Sequence, residues 1–293
     1  MNDVIEQPAT KTHRDENFPV ASMLIAPQHR PVVLAFYKFV RGADDIADSP
    51  DLTPDQKIAG LDRFEAALLG KDDTIEAAKP LRAALAARKL SARHPLDVLY
   101  AFRMDATKKR YANFDELMHY CAYSAAPVGR FVLDVHGESE STWAANDALC
   151  SALQIINHIQ DCGADFRNLD RVYIPQDAMA RHRTDVTALD APKASPDMLA
   201  CLHELALRTE KLVAEGRKLS PQVKDLRLSL ETAVIGRLAQ ALITLLKTRD
   251  PLSQKVHLSK PQFLALTLVG IGDGFIGRAK GAPATATTQA RRA

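Results

Sequence analysis

Two groups of oxygen-bearing side chains stand where helical packing alone would not place them. In Arg41-Gly-Ala-Asp44-Asp45-Ile-Ala-Asp48, the residues Asp44 and Asp48 are four apart. A helix puts them on one face, one turn from each other, together with Arg41 and Tyr37. The two anions repel, and no lysine at i+4 relieves them. The second group is Asn157, Asp161 and Asp165, again spaced by four. Its helix is otherwise apolar, with Leu153, Ile155, Ile156 and Ile159. Buried polar groups are costly without partners, and a hard divalent cation is a natural partner for oxygen donors. Magnesium binds through one or two carboxylates and substrate phosphates. Two stripes facing each other across a cavity would hold Mg²⁺ and bind a diphosphate. The competing reading is a pair of ordinary solvated helix faces, which fits the first stripe better than the second.

Basic and phenolic groups follow the second stripe: Arg167, Arg171 and Tyr173. Arginine suits bidentate phosphate binding. An ordinary charged helix exit is the competing account, above all for Arg167. Arg103-Met-Asp105-Ala-Thr-Lys108-Lys109-Arg110-Tyr111 reads either as another wall of the site or as a basic surface loop. Tyr120-Cys-Ala-Tyr123-Ser-Ala-Ala-Pro127-Val-Gly129 offers two phenols beside small residues that permit close approach; simple helix–helix packing would explain it equally. His158 and Cys162, beside the second stripe, read as packing residues.

The elements that must carry these groups are helical. Pro31 and Thr53-Pro54 mark helix starts, and Gly70 a stop. Helical spacing runs over 32–46, 58–69, 75–89, 94–104, 113–135, 142–165, 198–217, 223–247 and 260–279. The helix over 113–135 is expected to kink at Pro127-Val-Gly129. Residues 176–196, with three prolines nearby, read as loop or short helix. No alternating strand run is visible, so the fold class is all-α in one domain.

Composition narrows the function. The 293 residues carry a net charge of +2, with 25% charged and 46% apolar residues. That balance excludes a polybasic nucleic-acid binder. Four cysteines without C-x-x-C spacing read as reduced, mostly buried thiols in a cytosolic protein. Residues 1–16 and 281–293 read as flexible tails around a catalytic domain over 17–280.

Four blocks in order, DDIAD, FRMDATKKRY, YCAYSAAPVG and LQIINHIQDCGADFRNLDRVYIP, resemble the squalene/phytoene synthase family. The resemblance spans roughly residues 17 to 277. It implies an all-α isoprenoid-synthase bundle with a central cavity and head-to-head joining of prenyl diphosphates, or a later step on their product. It implies Mg²⁺ on Asp44, Asp48, Asn157, Asp161 and Asp165. Tyr37 and Arg41 match diphosphate-touching positions, and Arg171 and Tyr173 lie in the segment after the second motif. Tyr120 and Tyr123 match the family's tyrosine block, which leaves open the one near the reacting carbons.

Within the family, ENFPVAS near the N-terminus, with FRMDATKKRY and YSAAPVGR, looks like the branch of bacterial hopanoid biosynthesis that hydrates presqualene diphosphate to hydroxysqualene. ENFPVAS lacks the serine-rich stretch usual in condensing members. Ala125-Ala126 departs from the family's usual Ala-Gly. NADPH is not expected. The alternatives are condensation of two farnesyl or geranylgeranyl diphosphates, and a helical assembly protein on the same scaffold. Enzymes of the same pathway are possible partners. A C30 product is insoluble, so membrane contact is a further expectation. Phe263–Ile271 would serve it, although the segment reads first as a core helix.

Overall fold

The structure is a computed structural model and describes residues 25–281. ENFPVAS and both expected tails lie outside those residues, apart from Gly281. Eleven α-helices make up the described chain. They are α1 (Arg30–Asp48), α2 (Pro54–Leu68), α3 (Ala78–Arg88), α4 (Arg93–Thr107), α5 (Phe114–Ser124), α6 (Ala126–Val135), α7 (Trp143–Leu169), α8 (Gln176–Arg181), α9 (Pro196–Gly216), α10 (Leu226–Leu246) and α11 (Lys260–Gly281). The expected all-α class holds. One isolated bridge joins Arg110 to Val172.

Local chemistry explains the boundaries. Thr53 and Gln56 form a reciprocal capping box at α2, behind Pro54. Asn113 caps α5 by accepting from the Glu116 N–H, and Ser195 and Asp225 cap α9 and α10 in the same way. Each such cap contributes about 1 kcal/mol. The helix expected over 113–135 is two helices. α5 ends at Ser124, and Pro127 occupies the first turn of α6. Proline has no N–H to donate to the preceding turn, so it starts a helix more readily than it continues one.

Two large apolar cores result, with a smaller third around Leu133, Leu149 and Leu228. One centres on α7, with Ile155, Ile156 and Ile159 fully buried against α5, α9 and α10. The other joins α1 to α4, through Phe39, Leu61, Leu81 and Leu99, and borrows Phe131 from α6. α7 and α9 come very close: a Cβ on Gly216 would lie 2.6 Å from the Leu149 Cα. α10 is apolar enough to cross a membrane by length and composition, yet most of it is buried as a core helix. The carboxylates stand where the two cores meet.

Candidate active site

α1 carries Tyr37, Arg41, Asp44 and Asp48 along one face. Val33, Phe36, Tyr37 and Val40 of the same helix line an apolar cavity of about 250 Å³ with residues of α6, α7 and α10. A single helix therefore runs from an apolar chamber to the carboxylates within about two turns. Arg41 donates to Asp44 at 2.6 Å and to Asp45 at 2.7 Å. The relief for the first stripe thus comes partly from Arg41, three residues before Asp44. The rest comes from far away in the chain. Arg171 donates to the Asp48 carboxylate at 2.6 Å and to the Ala47 carbonyl at 2.9 Å.

α7 supplies the facing wall. Asn157 and Asp165 are half-buried on it, and Asp161 is exposed. The two stripes share one electrostatic environment. Burial pushes the Asp165 carboxyl up to about 7, with Asp161 and then Asp48 adding repulsion. Burial and the neighbouring Asp48 likewise push Asp44 up to about 7, against the pull of Arg41. Asp44 nonetheless keeps 27% of its side chain exposed, so a ligand can reach it. Arg41 and Arg171 already neutralise Asp44 and Asp48 in part, and among the described residues no three Asp, Glu, His or Cys side chains close on one point as a metal cluster. The donors are nonetheless the hard oxygens that suit Mg²⁺. Asp44, Asp48, Asn157, Asp161 and Asp165 are the residues that would hold it.

Between the stripes lies a buried polar cluster. Asp105 of α4 is 3% exposed. It accepts from the Tyr120 hydroxyl at 2.7 Å and from the Tyr173 hydroxyl at 2.9 Å. Burial pushes its carboxyl up to about 6, opposed by Arg171 and by both phenol hydrogen bonds. His158 stacks on Tyr173, with ring centroids 3.5 Å apart. Burial and then Arg171 push its pKa down to about 3, so the imidazole is neutral. Its Nε2 lies 3.1 Å from the Gln154 side-chain nitrogen, and the ring is no proton store at neutral pH.

The structure separates the two tyrosines of the block. Tyr120 joins Asp105, whereas Tyr123 packs against Tyr100 and His119. Arg167 is exposed and points at the Leu189 carbonyl, away from Asp48. Of FRMDATKKRY, Arg103 pairs with Asp62 and Glu65 on the outside, while Asp105 turns inward. The signal was present: Val98, Ala101, Phe102 and Asp105 fall at helical spacing, so Asp105 sits at a core position. Lys57 of α2 also stands at the site. Burial, then Arg171 and Lys109, hold its ammonium below the ordinary lysine range. No local spacing in the sequence singles it out. Arg41, Lys57, Lys109 and Arg171 together offer cations beside the carboxylates, suited to an anionic ligand larger than the metal alone.

Comparison with known proteins agrees with this geometry. The family model for squalene/phytoene synthase matches residues 11–262. A hydroxysqualene synthase of Rhodopseudomonas palustris is 52% identical over 281 residues, covering 96% of each chain. One of Sinorhizobium fredii is 55% identical over 260 residues, covering 89% of this chain and 88% of its own. A crystal structure of a squalene synthase from Alicyclobacillus acidocaldarius superposes with a TM-score of 0.70 at 30% identity, covering 80% of this chain and 89% of that one. With two carboxylate stripes meeting beside an apolar cavity and a family match along most of its length, the chain belongs to the squalene/phytoene synthase family.

Proposed function

We propose that this enzyme converts presqualene diphosphate and water to hydroxysqualene and diphosphate. The choice of reaction is carried by the near full-length likeness to two hydroxysqualene synthases. Bound Mg²⁺ would neutralise charge developing on the departing diphosphate oxygens. The carbon–oxygen bond breaks with its electron pair leaving on diphosphate. The cyclopropylcarbinyl cation rearranges, a water oxygen bonds to carbon, and that water gives up one proton.

The side chains divide this work. Arg41, Lys57 and Lys109 offer charge to the diphosphate end, and Arg171 acts there through Asp48, which it holds in place. Asp105 fixes both the Tyr120 and Tyr173 hydroxyls, so their rings keep one orientation. The aromatic faces of Tyr120 and Tyr173 and the neutral His158 ring suit a passing carbocation. The cavity lined by Phe36, Tyr37, Val132 and Leu153 shelters the chain from early quenching by water. Four free cysteines, three of them buried, support a reducing compartment, in keeping with the cytoplasm.

The test feeds purified protein presqualene diphosphate with Mg²⁺ and without NADPH, and identifies the product. Hydroxysqualene is expected. Its absence, with a C30 product made from farnesyl diphosphate alone, would move the reaction to condensation.

A further inference from the structure

α11 is built the wrong way round for a helix facing water. Its inner face is made of small residues. A Cβ on Gly270 would lie 2.7 Å from the Val234 Cα, and one on Gly274 would lie 2.7 Å from the Leu230 side chain. These glycines let α11 lie directly on α10. Its large apolar residues point outward instead. Leu264 is 62% exposed, Leu268 63%, Phe275 52% and Ile276 56%. Six of the eleven large apolar side chains left exposed among the described residues lie on this helix. Leu264, Leu268, Gly272 and Ile276 follow one another at four-residue spacing, so the stripe is continuous over more than three turns. A Cβ on Gly272 would meet nothing. The segment expected first as a core helix is therefore a surface helix with its apolar side out. A patch of this kind marks an interaction site.

Charge selects the occupant. Lys255 and Lys260 flank one end of the stripe, and Lys224 and Arg278 the other. Arg278 is held there by donating to the Val223 and Lys224 carbonyls. The single acid of α11, Asp273, is engaged by Arg237 and Arg217. Near Lys224, Glu138 accepts from the Lys224 and Asp225 N–H groups, and Asp225 caps α10. A second copy laid along the stripe would set basic end against basic end in either orientation. An anionic bilayer offers both an apolar layer and the opposite charge.

We propose that the outer face of α11 docks on the surface of a bilayer containing anionic phospholipid. The helix lies in the interface: its inner face is occupied by α10, so it does not span.

The test is co-sedimentation of the full chain with vesicles of phosphatidylcholine alone or with about one third phosphatidylglycerol. Binding to the anionic vesicles is expected, falling severalfold as salt rises from 0.1 to 1 M. The triple change L264E, L268E and I276E is expected to weaken binding about tenfold or more. The pair K224E and K260E should do so only for anionic vesicles. Circular dichroism melting of each variant, taken without vesicles, verifies that the fold is kept. No binding of the wild-type chain to anionic vesicles would overturn the proposal. So would a concentration-dependent dimer in vesicle-free buffer that the triple change dissociates.

Discussion

The Arg171 guanidinium reaches across 123 positions of sequence to lie 2.6 Å from the Asp48 carboxylate. It ties the segment after α7 to the last turn of α1. Both of its terminal nitrogens are used, because the second donates to the Ala47 carbonyl. Removing it would leave Asp48 and Asp105 without their shared cation. Arg171→Ala is expected to lower stability by about 2 kcal/mol, less than for a fully buried pair because Asp48 is partly exposed. Thermal unfolding should shift by about 4–8 °C. Arg171→Lys should recover part of this, since lysine keeps the charge and loses the fork. An unchanged melting temperature in Arg171→Ala would show that the tie is not structural.

Asp161 is exposed, so its loss should leave the fold intact. Asp161→Ala is expected to cut turnover more than about a hundredfold while leaving the circular dichroism spectrum unchanged. The stabilisation conferred by Mg²⁺ in thermal melts should shrink with it. Retained turnover would remove Asp161 from the metal set.

The two tyrosines make opposite predictions. Tyr120→Phe takes one of two hydrogen bonds from the buried Asp105, at a cost of about 1–3 kcal/mol. Activity should fall as well, because the carboxyl that also holds Tyr173 loses its balance. Tyr123→Phe touches neither Asp105 nor Tyr173 and should change kcat/KM less than about twofold. Steady-state kinetics on the two variants, with melts beside them, would distinguish the roles; equal losses would contradict the separation.

Mg²⁺ and protons should compete for the stripes. Asp44 and Asp165 stand near 7 in the metal-free chain, against about 4 in an unfolded chain. Between those values the folded chain binds more protons than the unfolded one. The protonated pair therefore favours folding below about pH 4, and that contribution is lost as pH rises through 7. Mg²⁺ replaces it at higher pH. The rise in melting temperature on adding Mg²⁺ should be larger at pH 8 than at pH 6. Proton release on binding should be measurable by calorimetry in buffers of different ionisation heat. A Mg²⁺ effect independent of pH would contradict the assignment.

Helix periodicity, proline and glycine punctuation and the two four-residue carboxylate spacings are local properties, and each could be read without coordinates. That reading reached an all-α fold, α1 and α7 as the carriers of the stripes, and the family. What it could not reach depends on which helix faces which. The spacing of Asp44 and Asp48 gives no hint that the counter-ion of Asp48 is Arg171, because an ion pair across 123 positions leaves no trace in either neighbourhood. Tyr120 and Tyr123 are equivalent in sequence, and only the packing of α5 against α4 and α7 turns one toward Asp105 and the other toward Tyr100. An apolar run such as Phe263–Ile271 has the same composition in a core as on a surface. The glycines of α11 settled the matter, because close approach to α10 requires the small face inward and leaves Leu264, Leu268 and Ile276 outside.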